Sequence, residues 1–449
     1  MLDISGTEFL DHACGAIQRI LPHVEAPTWK EIQWKSARAV WTSTKRTAIR
    51  VTISIRNKKD ESARSIQAEI RRRPLEGVRK AALRTLDLRE LDICRRIALR
   101  VSRVLRHEPS QRSKRDGASL RAIRDAFDEH IVAQHIEKFH ESAEMPVTSL
   151  LDALHTLSEQ SYENKALTFG CILEPEKNGD EGSAYFPDQF LSSKKYKALS
   201  DGYRTAYDVS ANGVIIDFVD LDRFERKPLS QKHYFPDWAE PIARASRGGR
   251  RGIALSRQGD ILIFEEGTLR FTYRYGRWEY WNHTHLVHLL RDRARAQRVK
   301  QGTLGRVVAA IYRSALDVSF RRSGGLFIIL RNRRNLRDIV RQGDAIGDVK
   351  RSEVDTEFDN VIREYNIQSL PRSVVAELAS LDGAVVLDNS GRIRAYGAVL
   401  QPKKSGRIRG TEGSRTKAAI GASKYGLAVK ISSDGDVTVY HKCTEFIKV

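Results

Sequence analysis

The chain has 449 residues, 41% of them hydrophobic, with 77 Lys and Arg against 57 Asp and Glu and a formal net charge of +20. That length and apolar content predict two to four folded domains and exclude a disordered polyelectrolyte. There is no run of about 18 or more apolar residues, and the N-terminus MLDISGTEFLDHACGAI is mixed and led by an acidic residue. Neither a spanning helix nor a signal peptide is therefore expected, and the expected location is the cytoplasm, with no membrane partner.

Cys14, Cys94, Cys171 and Cys443 are scattered without a CxxC pair or a Cys/His cluster, which speaks against a zinc site or a disulfide framework. The positive field attracts polyanions, of which a nucleoside triphosphate is one and nucleic acid another; an arginine-rich surface with no ligand is the plain alternative.

Residues 1–125 read as a basic α+β domain. Trp29, Trp34 and Trp41 fall close together, as base-stacking or packing residues. Alternation of Ile49, Val51, Ile53 and Ile55 with Arg50, Thr52, Ser54 and Arg56 predicts a half-exposed strand. From Val78 to Arg106 the period becomes helical, with Ile93, Ile97, Val101, Val104 and Leu105 on one face and Arg96, Arg100 and Arg103 on another. Residues 95–124 hold ten Lys/Arg against two Asp/Glu and include a linker-like HEPSQRSKRDGAS. This stretch fits either the phosphates of nucleic acid or a solvated face, and no known nucleic-acid-binding signature accompanies it.

Residues 126–290 read as a strand-rich α+β domain of sensor type. An amphipathic helix carries His130, His135 and His140; five-residue steps rotate each about 140° from the last, so they do not share one metal and read as surface or boundary histidines. Asp217, Asp220, Asp222, Glu265 and Glu266 read as structural carboxylates, because no further ligands complete a shell. Tyr273 and Tyr275 are expected on one side of a strand, forming with Trp278, Tyr280 and Trp281 a wall that packs on the C-terminal domain or stacks a ligand. Arg247, Arg250 and Arg251, interleaved with Gly248, Gly249 and Gly252, form a loop able to cradle an anion.

Residues 291–449 read as an α/β domain. The helix TLGRVVAAIYRSALDVSF leads into the apolar strand GGLFIIL, a polar stretch over 342–364 and a helix near 373–381. The strand LDGAVVLD follows, closed by the turn Asp388-Asn389-Ser390-Gly391 onto a second strand, RIRAYGAVL. Asp382 at the strand mouth suits a metal ion, and Gly383 beside it permits close approach by a ligand. Gly406, Gly410 and Gly413 loosen a basic loop ahead of Ser414-Arg415-Thr416-Lys417, and residues 417–423 read as a helix start. Backbone N–H groups, a hydroxyl and two cations together suit a polyphosphate.

These residues resemble the diadenylate cyclases, whose domain carries an Asp-Gly-Ala motif and a later Arg-His-Arg motif. Asp382-Gly383-Ala384 matches the first; Arg415-Thr416-Lys417 matches the second at its first residue, within Gly413-Ser414 and Ala418-Ala419-Ile420-Gly421. The likeness spans residues 300–449. Thr416 stands where the family has His, and Lys417 exchanges a guanidinium fork for a point charge. Ser432-Ser433-Asp434 stands for a Ser-Glu-Glu stretch, keeping one carboxylate.

The resemblance implies a mixed α/β fold and condensation of two ATP molecules into cyclic di-AMP for second-messenger signalling. It also implies Mg²⁺ or Mn²⁺ and a homo-oligomer with facing cyclase domains. It assigns Asp382, Gly383 and Ala384 to catalysis, with Asp382 and Asp434 for the metal. Gly413, Ser414, Arg415, Thr416 and Lys417 fall to nucleotide and phosphate binding. Thr416 does not supply the family histidine's cation, which predicts slower turnover. The alternatives are a catalytically weakened nucleotide-binding sensor, and a nucleic-acid-binding protein that regulates its cyclase domain.

Overall fold

The computed structural model describes residues 4–22, 24–25, 29–33, 40–44, 48–56, 63–71, 86–107, 126–137, 147–175, 193, 199–224, 229–230, 232–348, 353–402 and 413–448. Two compact units divide the chain: residues 1–74, 78–233 and 238–281 form one, and residues 75–77, 234–237 and 282–449 the other. The mixed α/β class expected from the sequence holds in both.

In the first unit, β1 (Trp29–Gln33), β2 (Val40–Thr44), β3 (Ala48–Arg56) and β4 (Ala63–Arg71) make an antiparallel sheet in the order β1-β4-β3-β2. The alternating run around Ile49 is β3, as predicted. After the two-residue strands β5 (Ser161–Tyr162) and β6 (Lys165–Ala166), a second sheet holds seven strands. These are β7 (Phe169–Leu173), β8 (Thr205–Val209), β9 (Ile215–Asp220), β10 (Arg251–Leu255), β11 (Ile261–Glu265), β12 (Thr268–Arg274) and β13 (Arg277–Tyr280), in the order β13-β12-β11-β10-β7-β8-β9. Helices α1 (Ile4–Ile20), α2 (Leu88–His107), α3 (Phe127–Glu137), α4 (Val147–Ser158) and α5 (Glu240–Ala245) complete the unit. Apolar residues from Leu10 in α1 to Tyr280 in β13 form one continuous core, because each helix has one apolar stripe to hide.

Several readings of this half change. His135 is a buried residue, not a surface one: its Nδ1 lies 3.0 Å from Asp92 and its Nε2 3.9 Å from Glu265, which also faces Arg89 at 3.0 Å and Arg251 at 3.2 Å. Helix packing on the sheet, invisible to a period count, encloses it. Tyr275 leaves the strand at the β12–β13 turn with φ +51° and is exposed, whereas Trp278 and Tyr280 enter this unit's own core. The loop at Arg247–Arg251 is tied to carboxylates of its own unit: Gly249 N–H donates to Glu266 at 2.8 Å, and Arg250 Nε to Glu174 at 2.6 Å. Asp217 faces Arg223, and Asp220 accepts from the Asp222 amide at 2.9 Å. Trp34, His140, residues 108–119 of the linker-like stretch and Gly406 and Gly410 lie outside the described residues.

All four cysteines are free thiols; burial pushes Cys14 up to about 11, with Asp11 adding to it. No helix among the described residues is long and apolar enough to cross a membrane.

The second unit begins with α6 (His283–Ala296) and α7 (Gln301–Phe320), and continues through β14 (Gly325–Leu330), α8 (Leu336–Ile339), α9 (Glu353–Arg363) and α10 (Arg372–Ser380). It ends with β15 (Ala384–Leu387), β16 (Ile393–Ala398), α11 (Ser414–Ala422), β17 (Gly426–Ile431), β18 (Val437–His441) and β19 (Thr444–Lys448). The six strands run in the order β16-β15-β14-β17-β18-β19, with β14 parallel to β15 and the other neighbours antiparallel. β14 and β15 are buried at every position, as a sheet covered on both faces demands.

Alternation sorts the two faces. Leu326, Ile328 and Leu330 of β14, Ala384 and Val386 of β15 and Ala428 of β17 share a core with Ala419 and Ala422 of α11. The opposite face takes α7 and α10: a Cβ on Gly325 would meet Val318, Ile431 and the Ala379 carbonyl. Arg372 at the start of α10 grips Asp317 of α7 with two hydrogen bonds of 2.7 Å. Burial pushes the Asp317 carboxyl up, and Arg372 opposes that shift. This tie fixes the helix that delivers the chain to Asp382.

Candidate active site

Parallel pairing of β14 with β15, Phe327 opposite Val385, sets Gly324 and Asp382 at the same end of the sheet. Antiparallel pairing of Gly325 with Ile431 brings the β17–β18 turn to that end too. Helix α11 starts there, and its Arg415 closes the cluster. Nη2 of Arg415 lies 3.7 Å from Oδ1 of Asp382, whose side chain is fully exposed. A Cβ at Gly324 would run into the Arg415 guanidinium, so the missing side chain is what admits the arginine.

Gly383 has φ +125°, and a Cβ there would lie 2.6 Å from the amide nitrogen of Ala398. Glycine is therefore required by the approach of β16 as well as by its backbone conformation. Ala384 is buried on the α11 face as the first residue of β15.

Helix α11 begins at Ser414, three residues before the predicted start at Lys417. Gly413 is its N-cap and offers no side-chain acceptor. Ser414, Arg415, Thr416 and Lys417 consequently form the first turn, where the helix dipole is positive and the N–H groups of Ser414, Arg415 and Thr416 lack the i−4 partner that Lys417 finds in the Gly413 carbonyl at 3.1 Å. Ser414 and Lys417 are exposed, and Arg415 and Thr416 half-buried. The sequence reading missed two participants, Gly324 and Lys430. Lys430 Nζ donates to Thr416 Oγ1 at 2.9 Å; its one signal in the sequence is a lone charge inside the apolar run of β17.

Asp434 is exposed in the β17–β18 turn, which is held to α7 by a hydrogen bond of 2.5 Å from Ser319 Oγ to the Gly435 carbonyl. The Ser432 hydroxyl accepts from the Asp436 amide at 3.1 Å. Two strand spacings, about 10 Å, separate β17 from β15. Among the described residues, no group of three or more His, Cys, Asp or Glu converges as a metal cage. An exposed single carboxylate beside a cationic helix N-terminus fits Mg²⁺ or Mn²⁺ all the same, since Mg²⁺ commonly takes one or two carboxylates and completes its shell with substrate phosphates and water.

Residues 313–444 match the family model DAC, described as DisA bacterial checkpoint controller nucleotide-binding. The region therefore carries a nucleotide-binding domain of the diadenylate cyclase type; the match covers less than a third of the chain and lies wholly in the second unit. Among solved structures, a double mutant of DacA from Staphylococcus aureus is 20% identical, with 31% of this chain and 86% of that one covered and a TM-score of 0.24. A hypothetical membrane spanning protein from Bacillus cereus is 16% identical, with 36% and 90% covered and a TM-score of 0.23. No curated protein matches the chain.

Proposed function

We propose that the second unit is a diadenylate cyclase that condenses two ATP molecules into cyclic di-AMP with release of two pyrophosphates. The juxtaposition of Asp382 and Arg415 at the first turn of α11, inside the DAC match, carries this reading. In each half-reaction a 3′-hydroxyl oxygen bonds to the α-phosphorus of the other nucleotide, and the bond from that phosphorus to pyrophosphate breaks. The hydroxyl proton passes to the Asp382 carboxylate and on to water. Arg415, Lys417, the Ser414 hydroxyl and the α11 amides orient the phosphates and offset their charge, so catalysis is mainly positioning and electrostatic stabilisation. Asp382 would hold Mg²⁺ or Mn²⁺ when the ion is bound, and the ion would then add to the neutralisation of the phosphates. Asp434 is the second metal carboxylate in this reading.

One subunit offers one such site, whereas the product needs two nucleotides face to face, so the active form is a homo-oligomer. Leu381 and Val399, both more than two-fifths exposed near Asp382, support an apolar contact there. The first unit regulates output in this reading. Departure of Thr416 and Lys417 from the family motif favours a second reading, a nucleotide-binding sensor of weak turnover.

Incubation with ATP and Mn²⁺ or Mg²⁺, with products identified by mass, tests these readings. A cyclic dinucleotide made by the wild type and not by Asp382→Ala is the expected result. ATP binding without product, with or without added DNA or RNA, would establish the sensor instead. Stimulation by nucleic acid would point to the regulated form.

A further inference from the structure

Lys430 is unusual in its strand. Every other residue of β17 is buried, and across from Lys430 in register stand Leu326 on β14 and Thr438 on β18. Alternation puts it on the α11 face, in line with the core residue Ala428. A lysine stem can lie along such apolar surface, but its ammonium must end at a polar or solvated group. It ends at the first turn of α11, donating to Thr416 Oγ1 at 2.9 Å.

For a structural cation this is the wrong end of a helix. The N-terminus carries the positive pole of the macrodipole, where carboxylates are favoured and cations disfavoured. Yet Arg415 and Lys417 already belong to that turn, and Lys430 adds a third cation, with the exposed Asp382 beside Arg415. A polyanion seated over the turn meets all three cations and the helix N-terminus together, which favours its binding there.

We propose that Lys430 is a phosphate-binding residue of this site, its ammonium steered by Thr416 onto the polyphosphate of the bound nucleotide. The inference rests on the nucleotide reading above. The positive charge absent from position 416 of the helix is delivered instead from the neighbouring strand. Thr416 then acts as a positioning residue, its hydroxyl oxygen accepting from the ammonium. The slower turnover expected from losing the histidine is correspondingly reduced.

The test measures ATP and AMP affinity in Mg²⁺ for wild type, Lys430→Met, Lys430→Arg and Thr416→Val, with melting temperature recorded for each. Methionine continues the apolar row, so Lys430→Met is expected to melt no lower than wild type. Its ATP affinity should fall about tenfold or more, the scale of one charge-assisted hydrogen bond. AMP, lacking the β- and γ-phosphates, should lose less. Lys430→Arg should retain most ATP affinity, and Thr416→Val, which unties the ammonium without removing it, should show a smaller loss than Lys430→Met. ATP affinity unchanged in Lys430→Met overturns the inference and leaves the cyclase reading intact. If Lys430→Met does not fold, unchanged affinity in Thr416→Val overturns it instead. Absence of ATP binding by the wild type overturns both.

Discussion

Strand β15 is flanked by two aspartates, each with an arginine neighbour, and their environments differ sharply. At the far end, Asp388 is buried and fully engaged. Its Oδ1 accepts from the Ser390 amide at 2.8 Å, the Ser390 hydroxyl at 2.6 Å and the Arg392 amide at 3.2 Å, while Oδ2 accepts both Arg394 Nε and Nη2. Burial raises its carboxyl pKa, but the bonds from Ser390 and Arg394 outweigh that and hold it below its ordinary value. At the near end, Asp382 is fully exposed and Arg415 stands 3.7 Å away, beyond hydrogen-bond length. One Asp–Arg pair is completed by the chain itself and fixes a turn. The other is left incomplete, as the proposed cyclase site would require.

The largest expected effect breaks the near end. Asp382→Ala should lower cyclic dinucleotide formation at least a hundredfold, since charge stabilisation at a metal-assisted site is worth several kcal/mol. Its unfolding free energy should stay within about 0.5 kcal/mol of wild type, as for other exposed positions. Activity loss matched by a comparable loss of stability would make Asp382 a second structural aspartate. Gly383→Ala should destabilise by about 1–3 kcal/mol in denaturant unfolding, because a positive φ and the Ala398 amide both exclude a side chain.

At the far end, Asp388→Asn should cost about 2 kcal/mol of stability near neutral pH, as charged hydrogen bonds are removed. The sign follows from the lowered pKa. Stabilisation by Asp388 is fully present above its unfolded-state pKa and is lost as pH falls through the folded-state value. Stability curves of wild type and variant should therefore converge on the acid side; a constant gap at all pH values would contradict this origin. The mildest change is Gly324→Ala. Its Cβ displaces the mobile end of Arg415, so ATP should bind about threefold to tenfold more weakly. Melting temperature should not change.

Much of the second unit was legible in the sequence. The apolar runs at β14 and β15 are continuous because both faces of those strands are covered, and Asp388-Asn389-Ser390-Gly391 is turn chemistry that reads locally. The first turn of α11 was harder. Gly413 looked like one more loop glycine, and only the backbone shows it as the N-cap that places Arg415 inside the helix. In the first unit, His135 reads as a surface or boundary residue from the sequence, yet is buried, because its five-residue spacing describes one helix and says nothing of the sheet packed over it.

By itself, the sequence determined the order of the elements, the identity of the Asp-Gly-Ala and Ser-Arg-Thr-Lys stretches and the excess of positive charge, all of which depend on neighbours along the chain. Tertiary structure alone decided that Gly324 makes room for Arg415, that Arg415 comes within reach of Asp382, and that Lys430 meets Thr416. Those pairings depend on which strands lie side by side and in what register. A one-residue slip of β17 would turn Lys430 to the opposite face of the sheet, away from α11.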